Sequence, residues 1–321
     1  MALNTELILT LKNLKGIGNK TILGIAEKAP SFIRTIEDLN LFWKKLKGKK
    51  FEKYSQEELM EAHQKALTIL KEAEDNGVGV ISYYEDCFPQ ILRETVNEEG
   101  SADAPLILFY RGNLEALQKP GVAIIGTREP TAAGEKAGLF FSEKFAEKGY
   151  NIVSGLAIGC DTTAHRGALK AKGTTTAFLA NGLDWNSIYP KENLDLAKEI
   201  VENGGLLLSE YPVGQTGSRY TLVARDRLQA GLSYATIVIQ TGIKGGTMHA
   251  VGATQKAKKP LFMVKYKNTE EQNSDKADGN RKFLEEGKAY SLTSITLDAS
   301  LAIVQASMEN INKPKPKSSL F

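Results

Sequence analysis

The chain has 321 residues, 42% of them hydrophobic and 25% charged, with a net charge of only +3. This excludes a disordered chain and a polycation, so any nucleic-acid site must come from local clustering of charge. Two widely separated cysteines, Cys87 and Cys160, and three histidines exclude a disulfide framework and a four-cysteine zinc site, and no apolar run reaches the roughly 18 residues of a membrane span.

The N-terminus lacks a signal-peptide layout, so a reducing cytoplasm is the expected compartment. Residues 1–76 read as a small all-α domain of short helices rich in Leu, Lys and Glu. Leu14-Lys15-Gly16-Ile17-Gly18-Asn19-Lys20 lies between two apolar helical stretches and reads as a helix-hairpin-helix. A tight hairpin of this kind presents backbone N–H groups to one phosphate, with Lys15, Gly16, Gly18 and Lys20 as its contacts. Leu41 to Lys53 holds six lysines and one glutamate, interleaved with Phe42, Trp43 and Phe51. It reads as a solvated face over small-helix core residues.

Short strands are predicted at Val78–Ser82 and Leu106–Tyr110, with Arg111-Gly112-Asn113 as a turn. From Gly121 the pattern alternates. Val122–Ile125, Asn151–Val153, Thr174–Leu179, Leu206–Leu208, Ala235–Gln240 and Leu261–Val264 read as strands, most of them continuous apolar runs buried on both faces. Helices are predicted at Thr131–Gly149, Asp161–Ala171 with Asp161 as N-cap, Leu194–Val201, Arg225–Leu232 and Thr247–Lys256. Strand–helix repetition of this kind demands an α/β fold with a doubly wound, mostly parallel sheet. One strand and one helix follow, and residues 301–321 read as a helix end and a disordered Pro/Lys/Ser tail. The terminal Leu320-Phe321 faintly resembles short clamp-docking peptides, with a plain disordered end as the simpler reading.

In such sheets ligands bind at the carboxyl ends of the strands. Those ends carry Gly126-Thr127-Arg128, Ser154-Gly155 through Gly159, Asn181-Gly182, Ser209-Glu210 and Lys244-Gly245-Gly246-Thr247. Glycines there admit a ligand to the backbone, and each following helix offers free N–H groups to an anion. The loops lack a Walker-type phosphate loop, a dinucleotide fingerprint, a hydrolase nucleophile elbow and a zinc-protease pair. Asp161 and His165, four apart on a helix, could pair, but capping by one and packing by the other is the better reading. Arg225-Asp226-Arg227 is placed where a loop enters a helix, with both arginines suited to phosphodiesters.

The runs VAIIGTREPTAAG (122–134), GYNIVSGLAIGCDTTAHRGAL (149–169) and GGLLLSEYP (204–212), with Phe88-Pro89 and the stretch 108–112 before them, resemble the DNA processing protein A family. The resemblance covers roughly residues 77–266. It implies an extended Rossmann-like domain over 77–300 that binds single-stranded DNA without cofactor, metal or catalysis. It also implies loading of the RecA recombinase and homodimers. By matching motif, Arg128, Ser154, Gly155, Gly159, Asp161, His165, Arg225, Arg227, Gly246 and Thr247 take the family's places, and Gly126, Thr127, Lys244 and Gly245 complete the implied phosphate rim. The chain departs from the family at Leu222-Val223, where a Phe-Pro pair is usual and Tyr220 is the nearest aromatic. It departs again at Asp226 for Asn, at Gln240-Thr241, at Gly245 and at Ala250, and Cys160 stands in as a small apolar residue. No winged-helix module is evident after Val264. The alternative reading is a nucleotide-sensing or nucleotide-hydrolysing relative, favoured by Gly245-Gly246-Thr247. A scaffold without DNA affinity is the third.

Overall fold

A computed structural model describes residues 3–46 and 54–313. Most of the lysine run and the Pro/Lys/Ser tail with Leu320-Phe321 lie outside the described residues. The N-terminal segment forms α1 (Thr5–Asn13), α2 (Asn19–Lys28), α3 (Ile36–Trp43) and α4 (Gln56–Asp75). Local chemistry sets their starts. The Asn4 side chain accepts from the Leu7 N–H, and Thr35/Asp38 and Ser55/Glu58 form capping boxes. α4 turns small residues, Ala62 and Ala66, inward, and α1 packs Leu7, Ile8 and Leu11 into the shared core.

Nine strands follow: β1 (Gly79–Ser82), β2 (Ile107–Gly112), β3 (Gly121–Ile125), β4 (Asn151–Ser154), β5 (Thr175–Leu179), β6 (Leu206–Ser209), β7 (Ser233–Val238), β8 (Leu261–Val264) and β9 (Tyr290–Leu292). They make one sheet in the order β1-β2-β6-β5-β4-β3-β7-β8-β9. β1–β2 and β2–β6 are antiparallel, and every other pair is parallel. The expected turn at Arg111-Gly112 is instead the end of β2, paired with Leu207 and Leu206. The chain passes there because Gly112 has φ 111° and no Cβ, which would sit 2.3 Å from the Gly205 carbonyl.

Helices cover both faces: α5 (Ala132–Glu147), α6 (Cys160–Lys170), α7 (Leu194–Glu202), α8 (Arg219–Gly231), α9 (Thr247–Lys256), α10 (Asp278–Glu285) and α11 (Leu297–Ile311). β3, β4, β5 and β6 are buried along their whole length, as their unbroken apolar runs demand. Phe145 from α5, Phe178 from β5 and Phe262 from β8 are fully buried; each contributes about 1.5–3 kcal/mol of hydrophobic stabilisation. One apolar cluster runs from Leu7 and Ile22 through Ala66 to Ile107, Ala177 and Leu207, so the helical segment and the sheet share a core.

Two boundaries differ from expectation. α8 begins at Arg219, two turns before Arg225, because Ser218 and Thr221 form a capping box. α6 is capped by Gly159, not Asp161, and Asp161 occupies the first helical turn. From β3 the chain winds outward through β4, β5 and β6, then returns to β7 on the other side of β3. The loops after β3 and β7 therefore diverge, which opens a crevice at the carboxyl edge of the sheet. Among the described residues no helix is long and apolar enough to cross a membrane.

Candidate nucleic-acid interface

The crevice between the β3 and β7 loops holds a cleft of about 330 Å³. Its first wall leaves β3 as Gly126-Thr127-Arg128. The Thr127 N–H donates to the Gln240 carbonyl at 2.8 Å, and the Cys160 N–H donates to the Thr127 carbonyl at 3.1 Å. So pinned, the loop delivers Arg128 to the mouth of the cleft, exposed. The opposite wall is Gly242 to Thr247, leading into α9. Thr241 is held at its root by Asn280, whose side chain accepts from the Thr241 N–H and donates to the Ile239 and Val264 carbonyls. Lys244 is exposed on this wall; at the start of α9 the Met248 and His249 N–H groups donate to the Gly245 and Gly246 carbonyls, and the Thr247 N–H has no acceptor among the described residues.

The floor is built from α6 and α8. Asp161 accepts from the Gly155 and Ala157 N–H groups at 3.1 and 3.2 Å, which folds the β4–α6 loop over its carboxylate. Burial pushes the Asp161 pKa up, opposed by the Arg225 charge. Arg225 is 5% exposed and donates through Nη1 to the Gly155 and Phe178 carbonyls at 2.5 and 2.7 Å. A side chain at residue 155 would displace the buried Arg225 guanidinium, since its Cβ would meet Arg225 Nη1 at 1.8 Å. Asp226 lies beside Arg225, with 3.1 Å between Oδ1 and Nε, and Gln229 Nε2 donates to the same oxygen at 3.0 Å. Burial raises the Asp226 carboxyl to about 6, with Arg225 pulling it down and Asp161 pushing it up.

Of the expected rim, Gly126, Thr127, Arg128, Arg225, Lys244, Gly245, Gly246 and Thr247 line this one cleft. Gly155 lines a side lobe of about 120 Å³ that opens off it through Arg128 and Arg225, walled by Ile158, Tyr189, Pro190 and Leu222. Ser154 is behind the rim, donating to the Ile124 carbonyl, and Gly159 is packed against the Thr127 and Arg128 carbonyls. Tyr220 is 80% exposed and lines neither space; the aromatic in the side lobe is Tyr189.

Arg227 requires correction as a rim contact. It is buried on another face of α8, where Nη1 and Nη2 donate to Glu210 at 2.8 and 3.0 Å and Nε lies 2.6 Å from Asp103. Arg225 also departs from expectation, since it holds two carbonyls at the floor rather than standing free. The cleft is consequently not a simple basic groove: Arg128, Arg225 and Lys244 face Asp161 and Asp226, three cations against two carboxyl groups. Sequence reasoning marks Asp226 only as a departure from the family pattern and misses Gln229 as a floor residue. The helical spacing 225, 226, 229 places them on one face and turns 227 away, a signal that becomes readable once α8 is known to start at Arg219.

The hairpin lies apart from the cleft lining. Lys15 and Lys20 are exposed, Gly16 has φ 90°, and Gly18 caps α2, while Leu14 and Ile17 are buried. Asn19 at the start of α2 donates to the Ala104 carbonyl at 3.1 Å, which seats the hairpin beside the Asp103–Arg227 pair.

Asp161 and His165 do not pair. Thr175 Oγ1 donates to the Ile152 carbonyl at 2.7 Å and so accepts from His165 Nδ1, also at 2.7 Å, which leaves Nε2 unprotonated and buried. Burial, then the Arg225 charge, lower the His165 pKa to about 3. An unfolded histidine titrates near about 6.5, so below that pH the unfolded chain binds a proton that the folded chain refuses, and stability falls with pH. Asp161 and Asp226, raised by burial, titrate in the opposite sense, but they do so in any variant. Wild type is therefore expected to lose about 2 kcal/mol relative to His165→Gln between neutral pH and about pH 5, read by urea unfolding. Parallel stability curves for the two proteins would exclude a buried neutral imidazole. Cys160 is buried as a small apolar residue, its thiol pushed up to about 12 by burial.

The fold has counterparts of known sequence and structure. The sequence pattern of the DNA recombination-mediator protein A family matches residues 79–300. Protein Smf of Escherichia coli is 37% identical over 160 residues, 50% of this chain and 40% of that protein. DNA processing protein DprA of Streptococcus pneumoniae is 36% identical over 186 residues, 57% of this chain and 61% of that protein. The chain thus spans less than two thirds of these relatives' own length. The crystal structure of Streptococcus pneumoniae DprA matches 94% of this chain and 98% of its own, with a TM-score of 0.73 at 27% identity. The Helicobacter pylori DNA processing protein A, studied for its single-stranded DNA binding mode, matches 73% of this chain and 96% of its own, with a TM-score of 0.59 at 29% identity. Sequence pattern and architecture agree, and the chain belongs to the DNA recombination-mediator protein A family.

Proposed function

We propose that this protein binds single-stranded DNA across the cleft and hands it to a recombinase of the RecA type, without chemistry on the strand. The observation that carries this reading is the rim itself. Arg128 and Lys244 stand exposed on opposite walls, next to the Thr247 N–H that opens α9, at the switch point of a parallel sheet. The Helicobacter pylori relative, studied for its single-stranded DNA binding, supports it. Ser154 and Gly159 shape the loop that carries the rim. The hairpin lysines, Lys15 and Lys20, add a second contact blind to sequence. Homodimers acting in the cytoplasm complete the reading.

The test is a fluorescence-polarisation titration of a labelled mixed-sequence oligonucleotide at several salt concentrations. Neutralising two to four phosphates gives a log–log salt slope of about −1.4 to −2.8 for a single strand. A steep negative slope is expected; absence of binding at low salt sinks the reading. The size of the cleft and the Gly245-Gly246-Thr247 loop favour, as a second reading, a mononucleotide ligand. Displacement of the oligonucleotide by a free mononucleotide at micromolar concentration would decide for it.

A further inference from the structure

The floor of the cleft carries hydrogen-bond acceptors that phosphate cannot use. Gln229 is 3% exposed and lines the cleft. Its Nε2 donates to Asp226 Oδ1, which fixes the amide's orientation and leaves Oε1 buried without a partner. Asp226, 13% exposed at its side chain, also lines the cleft. Among the described residues no donor reaches its Oδ2. A buried acceptor left unpaired costs about 1–3 kcal/mol, so Gln229 Oε1 calls for a donor from the ligand, and Asp226 Oδ2 offers a second acceptor beside it.

A phosphodiester brings only acceptors, and it is matched by the rim: Arg128, Lys244 and the Thr247 N–H that opens α9. One ligand satisfies rim and floor together only if it is anionic at one end and a hydrogen-bond donor at the other. A nucleotide with an exocyclic amine has that layout. On its exposed edge cytosine offers the two protons of N4–H₂ and adenine those of N6–H₂, whereas thymine has a single N3–H flanked by the O4 and O2 acceptors, so it cannot serve two acceptors without facing them with its own carbonyls. The cleft volume, about 330 Å³, falls at the lower end of small-ligand pockets, roughly 300–1,000 Å³.

We infer that the cleft takes one nucleobase of the strand edge-first against Asp226 and Gln229, with its phosphate on the rim, and so selects amine-bearing bases over thymine. This rests on the single-strand reading given above and adds a preference to it. Sites built to hydrogen-bond a ligand group reject the analogue lacking it far more strongly than apolar pockets reject a missing methylene.

The experiment is a polarisation competition on the full chain near neutral pH. Oligo-dT is compared with an oligonucleotide of the same length in which alternate thymidines are replaced by dC. The dC-bearing strand is expected to bind about tenfold or more tightly, the yield of one hydrogen bond to a charged group. Asp226→Asn, whose amide can donate to thymine O4, should bring the ratio close to one, and Gln229→Met should reduce it. Equal affinity of the wild-type chain for both strands overturns the inference and leaves strand binding intact. Binding of neither strand overturns both. The wild-type ratio decides without any variant, so a misfolded variant does not rescue the inference.

Discussion

Replacing Arg128 with alanine is expected to weaken oligonucleotide binding by about tenfold to a hundredfold, the effect of removing a charge-assisted contact of about 1.5–3 kcal/mol. The side chain is exposed at the cleft mouth, and within the described residues it makes no hydrogen bond or ion pair. Nothing in the fold leans on it, so stability should stay within about 0.5 kcal/mol of wild type. The salt slope should fall in magnitude by about 0.7, the share of one phosphate on a single strand. Polarisation titrations of wild type and variant at several salt concentrations measure both quantities. An unchanged affinity with an unchanged slope would remove Arg128 from the site, and with it the outer wall of the proposed interface.

Arg227→Ala should behave in the opposite way. Arg227 and Glu210 are 9% and 13% exposed at their side chains and meet through two hydrogen bonds, with the more open Asp103 on Nε. Removing the arginine strands a buried carboxylate, a loss of about 3–5 kcal/mol. The pair also sits where the helical segment meets the sheet. Lys12 from α1 lies half-buried near it, its pKa lowered by burial against the raising effect of Glu210, and Asn19 holds Ala104 next to Asp103. Denaturant unfolding should show the full loss, while binding per folded molecule stays close to wild type. A double-mutant cycle with Glu210→Gln should recover part of it, since the second change discharges the stranded group. A stable Arg227→Ala protein that has lost DNA binding would mean that this arginine leaves its partners for the strand.

Arg225 and Arg227 differ because of geometry that spacing along the chain conceals. A helix beginning at Arg225, as the sequence pattern predicts, would make both of them phosphate ligands at its start. With α8 starting at Arg219, both lie in mid-helix, and residues two apart on a helix point about 200° away from each other. One must face the cleft and the other cannot. Asp161 follows the same lesson. An aspartate before a helical run suggests an N-cap, but a glycine with positive φ already fills that place, and the carboxylate turns back to hold the loop N–H groups instead.

The sequence alone determined the class of fold, since unbroken apolar runs such as Val122–Ile125 can be satisfied only by strands buried on both faces, and alternation with helices makes those strands parallel. It also marked the carboxyl edge of the sheet as the candidate ligand site, because the ends of such strands are where loops diverge; α9 (Thr247–Lys256) and β8 (Leu261–Val264) fall where their patterns place them. The tertiary structure decided which charges are free. Burial and partner choice are long-range properties: Arg227 finds Asp103, 124 residues away, and Gln229 becomes an acceptor at the floor of a cleft because Asp226 takes its amide protons. Local residue order carries periodicity and capping, but whether a charged side chain meets solvent, a carboxylate or a ligand depends on which distant segments the fold packs against it.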